Sequence, residues 1–134
     1  VSLKKTYLDS GVLITAFQGV QANSIQANNI LNDENREFVS SKFVKLEILP
    51  KAIYNQQQKE KDFYETFFNS VTHWATDLEQ ITEDGYQIAY TYGLAAVDAL
   101  HVAAALWLKA SELVTTEKIT KPIHRVTEIK IISI

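Results

Sequence analysis

The chain has 134 residues, 46% hydrophobic and 22% charged, which suits one soluble globular core and leaves too little chain to bury a second. It has no cysteine, so disulfide frameworks, thiolate zinc sites and cysteine nucleophiles are excluded. A net charge of −3 and a pI near 5.6 argue against a protein that coats nucleic acid through a broad basic surface, while leaving room for a local basic rim.

In chain order, Lys5–Asp9 reads as a short strand closed by Ser10 and Gly11, and Val12–Phe17 begins a helical pattern. Ala22–Leu31 places apolar residues at Ile25, Ala27, Ile30 and Leu31, which predicts a second helix before the polar cluster Asn32–Arg36. Glu37–Ser40 is the second strand. Ser41 is placed to cap a helix whose inward stripe is Phe43, Leu46, Leu49 and Ile53. Pro50 is expected to kink or restart that helix, because it removes a donor and presses on the Leu46 carbonyl. Lys59–Val71 is amphipathic with Phe63, Phe67 and Val71 inward, and His73–Thr76 is the third strand. Ile81, Ile88, Ala89 and Tyr92 mark a helix closed by Gly93, while Ala95–Ala110, apolar on nearly every side, predicts a helix buried against a sheet. Glu112–Thr116 is the fourth strand, and Arg125–Val126 or Ile129–Ile134 the fifth. Strands alternating with helices imply a three-layer α/β/α domain over residues 1–134, with a mostly parallel central sheet of four to five strands. No apolar signal core follows Val1–Thr6, and the longest apolar stretch, Ala99–Leu108, is interrupted by His101 and too short to cross a bilayer. A soluble, cytoplasmic protein with no membrane partner is expected.

In an open parallel sheet, ligands bind beyond the carboxyl ends of the strands, where the strand order reverses. That rule selects among the sixteen acids. Asp9 ends the first strand, Glu117 directly follows the fourth, Asp98 opens the helix feeding the fourth, and Glu47 lies one turn beyond Phe43 at the margin of an apolar stripe. If they converge, two ionised carboxylates about 4 Å apart repel by roughly 4 kcal/mol at an effective dielectric of about 20. Retained protons or a hard cation must offset this, and oxygen ligands without His or Cys suit Mg2+ or Mn2+ better than zinc. With such an ion bound, a water gains acidity and orientation for attack on a phosphodiester. Each acid also has a structural explanation. Asp9 fits a turn or N-cap beside Ser10, Asp98 a favourable charge at a helix N-terminus, Glu47 a solvated partner of Lys51 at i+4, and Glu117 an ordinary loop acid. Periodicity does not choose between these and a site.

The stretch Tyr7-Leu8-Asp9-Ser10-Gly11-Val12-Leu13-Ile14 resembles the opening motif of PIN domains, where an Asp at the end of the first strand precedes a small polar residue and an apolar helix start. Val97–Ala105, containing Asp98, followed by Leu113–Glu117, resembles the second half of that family, with Leu46 and Glu47 between the two blocks. The likeness spans essentially the whole chain. It implies a PIN-like fold and a metal-dependent endoribonuclease of the kind found among VapC-like toxins of toxin–antitoxin pairs. RNA is then the substrate, Mg2+ or Mn2+ the cofactor, an antitoxin a possible partner and a homodimer the assembly, with products carrying a 5′ phosphate. Asp9, Glu47 and Asp98 match the first three family acids. Glu117 stands where the fourth is usually Asp, so its longer arm contacts metal through water or not at all. The family often adds another acid shortly afterwards, where this sequence has Ile119 and Thr120, which leaves the number of metal ions open.

Ser10 and Thr115 can place hydroxyls beside the ion or a phosphate oxygen, or satisfy local backbone groups instead. His101, one turn after Asp98, is expected to be a hydrogen-bonded packing residue rather than a general base. Lys42, Lys45 and Lys51 surround Glu47, and Lys118 and Lys121 follow Glu117. Of these, Lys45, Lys51 and Lys118 are the candidate contacts to the RNA backbone, against the alternative of a solvated helix face. Trp74, Tyr90, Tyr92 and Trp107 are expected in the core rather than stacked on bases. The alternative function is a catalytically weak PIN-like module that binds RNA or a protein. An aspartyl phosphotransferase using Asp9 wants a second acid where Gly11 stands, and no Gly-x-Gly-x-x-Gly follows the first strand for a dinucleotide.

Overall fold

Short runs of β-branched and aromatic residues form the strands β1 (Lys4–Leu8), β2 (Arg36–Ser41), β3 (His73–Ala75), β4 (Glu112–Thr115) and β5 (Lys130–Ser133) in the computed structural model, which describes residues 2–19 and 21–134. They pair in the order β3-β2-β1-β4-β5, every pair parallel. The helices are α1 (Ser10–Gln18), α2 (Ala22–Leu31), α3 (Lys42–Tyr54), α4 (Gln58–Ser70), α5 (Leu78–Tyr92) and α6 (Ala96–Trp107). With this strand order the usual right-handed rule for parallel crossovers puts α1–α4 on one face of the sheet and α5 and α6 on the other. Packing largely follows that division, with α1 against α2, α3 and α4, and α6 against α5, β2, β3 and β4, while α3 also meets α6. The expected three-layer α/β/α arrangement is therefore the observed one. Of the two candidates for the fifth strand, the later segment forms it, and Pro122–Arg125 is a single 3-10 turn. Among the described residues no single helix is long and apolar enough to cross a membrane.

β1 lies at the centre, so its side chains are buried on both faces: Tyr7 and Leu8 are fully enclosed. Burial of such side chains supplies roughly 1.5–3 kcal/mol each. Gly93 closes α5 in the left-handed conformation at φ 71°, as its position in the sequence implies. α6 buries Ala99, His101, Val102, Ala103, Ala104 and Ala105, which explains its lack of a polar face.

Several packing expectations are corrected. In α3 the fully buried stripe is Val44, Ile48 and Ala52; of the expected Phe43, Leu46, Leu49 and Ile53, Phe43 and Leu49 pack half-buried beside it, while Leu46 and Ile53 are exposed, Leu46 to 72%. The two stripes are adjacent on the helix, and the short side chains face inward where α3 packs against β2, α1 and α6. Nor does Pro50 interrupt the helix, which runs from Lys42 to Tyr54. Pro50 and Leu46 both lie on the solvent side, so water can satisfy the carbonyl that loses its donor. Ser41 occupies the N-cap position without a side-chain cap, because its hydroxyl pairs with Tyr7 at 2.7 Å. α4 buries Tyr64, Phe67 and Phe68, so Phe63 and Val71 are only half-buried. Tyr90 is 69% exposed and meets Tyr86 edge to face rather than entering the core.

Candidate active site

The strand order reverses between β1 and β4, so the crevice of this sheet lies beyond Leu8 and Thr115. Asp9 leaves β1 at that edge. Its backbone N–H donates to the Val114 carbonyl at 3.0 Å, extending the ladder by one bond, and its carboxylate caps α1 by accepting from the Val12 N–H at 3.3 Å. Its turn role and a site role are therefore compatible. Gly11 follows because a Cβ there would overlap the Thr116 hydroxyl. α3 starts directly from the end of β2, which carries Glu47 to the same edge, where α3 meets both α1 and α6. α6 runs toward the start of β4, so its first turn, with Asp98, lies there too. Glu117 comes just after β4, and its backbone carbonyl is held by His124 Nε2 at 2.9 Å and Ser133 Oγ at 2.8 Å. The loop is anchored while the Glu117 carboxylate is left free.

Electrostatics links the four acids. Burial pushes the Asp9 carboxyl up to about 6, with the Asp98 charge adding and the Thr115 hydrogen bond and His101 opposing. Asp98 is raised as well, first by burial and then by Glu117 and Glu47. Asp98 therefore feels the charge of all three others. Glu47 moves the opposite way, lowered chiefly by the hydrogen bond from His101 and further by Ser10.

The hydroxyls at Ser10 and Thr115 both touch site carboxylates. Thr115 Oγ1 donates to Asp9 Oδ2 at 2.5 Å and accepts the Glu117 N–H at 3.0 Å. Ser10 Oγ donates to Glu47 Oε1 at 2.5 Å, and His101 Nε2 reaches the same oxygen at 2.5 Å. The i+4 pairing of Glu47 with Lys51 is not formed. Among the described residues, no protein donor reaches Glu47 Oε2 or the carboxylates of Asp98 and Glu117, and no Lys or Arg pairs with any of the four acids.

As they stand the acids are not drawn together: among the described residues, no group of three or more His, Cys, Asp or Glu side chains is arranged to hold an ion. Glu47 is fastened to Ser10 and His101, and Asp9 to Thr115 and Val12, so closing on a cation calls for rotation of the unheld Asp98 and Glu117 side chains rather than a change of fold. The donor chemistry still fits a hard divalent cation. It is all oxygen, it carries unpaired acceptors, and its mutual repulsion is one that a cation relieves.

A carboxyl raised in the fold favours folding only while protonated. For Asp9 that contribution is complete below its ordinary value of 3.8 and is lost as pH rises through about 6. In metal-free buffer at pH 7.5, Asp9→Asn is therefore expected to melt about 3–8 °C above wild type, since Asn caps a helix as well as Asp does. Near pH 4 the difference should vanish. Thermal melts at the two pH values check this, and a variant less stable at both would show that ionised Asp9 carries no strain.

His101 is the site residue whose part the sequence underrates. It is buried and hydrogen-bonded as expected, but it also grips Glu47. The signal was its spacing of one helical turn from Asp98, which puts both on the edge-facing side of α6. Among the lysines, Lys51 lines a small cleft of about 210 Å3 with Glu47, Ile14, Asn55 and Tyr64. Lys118 is exposed beside Glu117. Lys45 instead sits over the rings of Trp74 and Phe68, 4.9 and 5.5 Å from their centroids.

A family model described as PIN domain matches residues 6–125. No curated protein matches the sequence. Among solved structures, VapBC2 from Rickettsia felis, bound to a DNA fragment from its promoter, aligns with a TM-score of 0.73 and 16% identity, covering 96% of this chain and 98% of that one. VapBC-1 from nontypeable Haemophilus influenzae aligns with a TM-score of 0.72 and 20% identity over 96% and 97% of the two chains. VapC20 from Mycobacterium tuberculosis, a sarcin-ricin loop cleaving toxin, aligns with a TM-score of 0.66 and 11% identity over 93% and 98%. At these identities the likeness is one of fold.

Proposed function

Because the chain belongs to the PIN domain family, we propose that it is a single-domain, divalent-metal-dependent endoribonuclease, the toxin of a toxin–antitoxin pair. One observation carries the reading: Asp9 at the end of β1, Glu47 on α3, Asp98 in the first turn of α6 and Glu117 just after β4 stand at one edge of the sheet, and among the described residues no Lys or Arg forms an ion pair with any of them. Asp9, Glu47 and Asp98 hold Mg2+ or Mn2+, and Glu117 assists from its anchored loop. When bound, such an ion supplies Lewis acidity for phosphodiester hydrolysis. Ser10 and Thr115 orient Glu47 and Asp9 through their hydroxyls. Lys51 and Lys118 meet the phosphates flanking the cut, and Lys45, held over aromatic rings, is the weaker candidate.

An RNA substrate places the working protein in the cytoplasm. The proposed protein partners, an antitoxin and a second copy of this chain, have an apolar surface available. Leu46, Leu49, Pro50, Ile53 and Trp74 line an open groove of about 660 Å3 rimmed by Lys42 and Lys45. The alternative, a weak or inactive module that binds RNA or a protein, is favoured by the acids standing apart.

A cleavage assay on structured and single-stranded RNAs separates the two readings. Cutting is expected with Mn2+ or Mg2+ and is abolished by chelator, leaving 5′ phosphates. Folded protein that binds RNA without cutting any of the panel in either metal would favour the binding module.

A further inference from the structure

Glu47 ends a line of buried polar groups contributed by four elements. His101, 2% exposed on α6, stands with Nε2 2.5 Å from Glu47 Oε1 and Nδ1 2.8 Å from the Tyr7 hydroxyl on β1. Tyr7 in turn lies 2.7 Å from Ser41 Oγ at the end of β2. The directions of donation follow from the carboxylate. An ionised Glu47 only accepts, so Nε2 carries the hydrogen. With a neutral ring, Nδ1 then offers a lone pair to the Tyr7 O–H, and the Tyr7 oxygen is free to accept from Ser41. Every hydrogen on the line has an acceptor, running Ser41 to Tyr7 to His101 to Glu47.

A packing role alone does not explain this arrangement. α6 is otherwise alanine and valine at its buried positions, and an imidazole there must be hydrogen-bonded at both nitrogens to escape a desolvation penalty. What the polar line adds is control of one carboxylate. Glu47 has three rotatable side-chain bonds and is the most exposed of the four acids, its side chain 38% accessible. Left alone it would sample many orientations. Ser10 and His101 both fasten Oε1, and among the described residues nothing in the protein occupies Oε2.

We propose that Ser41, Tyr7 and His101 form a positioning line for Glu47, fixing Oε1 and leaving Oε2 as the oxygen offered to a divalent cation. This rests on the metal-site reading above. His101 is a positioning residue that acts through Glu47.

The test is Mn2+ binding to the full chain by calorimetry, with melting temperature measured in parallel. His101→Leu should stay folded, because α6 is otherwise apolar where it is buried and the Tyr7 hydroxyl keeps Ser41 as a partner, yet bind Mn2+ about 10–100-fold more weakly, the usual cost of losing a partner that orients a ligand. His101→Gln keeps an N–H that reaches Glu47 and should recover most of that affinity. Tyr7→Phe frees the far side of the ring and should give a smaller loss. In metal-free protein, nitrogen-15 NMR of the imidazole should show the Nε2–H tautomer. Wild-type affinity in folded His101→Leu, a Gln variant as weak as the Leu variant, or an Nδ1–H tautomer would each overturn the proposal. Asp98→Asn separates the two layers of argument: if it loses Mn2+ binding while His101→Leu does not, only the positioning line falls, whereas unchanged binding in Asp98→Asn overturns the metal site itself.

Discussion

Asp98→Asn is expected to lower kcat/KM for RNA cleavage by about 10²–10³-fold, the scale seen when one preorganised electrostatic group is removed from an active site. The substitution keeps shape and removes charge. Asp98 feels all three other acids, and its oxygens carry no hydrogen bond from the protein among the described residues. Its charge favours the first turn of α6 but is opposed by burial and by Glu117 and Glu47, so the melting temperature should stay near the wild-type value. Asp9→Asn should lose activity to a similar degree, while Glu117→Gln should lose less, because its longer arm on a loop is the least constrained of the four. Cleavage kinetics on one RNA, paired with melting curves, check this. Near wild-type cutting by Asp98→Asn would remove the hub of the site.

Arg36→Met has the largest expected effect on stability. Glu112 at the start of β4 is 1% exposed, and its Oε2 accepts from Arg36 Nε at 2.9 Å and from Thr6 Oγ1 at 2.8 Å. Arg36 reaches from the start of β2 across β1 to make this contact, so one ion pair ties three strands together at the edge opposite the active site. Without it, a buried carboxylate keeps only the Thr6 hydroxyl and the half-exposed Lys4, 3.7 Å from Oε1. Breaking such a pair from one side costs about 3–5 kcal/mol, whereas replacing both partners with apolar residues is often neutral. Urea unfolding should therefore show a large loss in Arg36→Met and substantial recovery in the double variant Arg36→Met, Glu112→Leu. Cleavage per folded molecule should be unchanged in both, since the pair lies at the far ends of the strands.

Where the sequence carried strong local signals, the structure follows them. Alternation of strand and helix set the three-layer class, Ala22–Leu31 is a helix with those bounds, and Gly93 ends α5. Asp9, Glu47, Asp98 and Glu117 reach one edge because topology alone sends strand ends and the following helix starts there. The largest misreadings concern α3. Phe43, Leu46, Leu49 and Ile53 make as good a stripe as Val44, Ile48 and Ala52, and only the neighbours decide which faces inward. The Tyr7–His101–Glu47 line was equally out of reach, since its members are distant in the chain and no local pattern marks hydrogen bonds between β1, α6 and α3. Glu47 looked like a partner for Lys51 for the same reason: the local pair was visible and the distant imidazole was not.

On this reading, acids from β1's end, α3, α6 and the loop after β4 share one cation. Manganese-soaked crystals measured at the metal's absorption edge test it most directly. An anomalous peak is expected among Asp9, Glu47 and Asp98, and it should be lost in Asp98→Asn crystals. No peak there at saturating Mn2+, or an ion held by other side chains with these carboxylates unmoved, would contradict it.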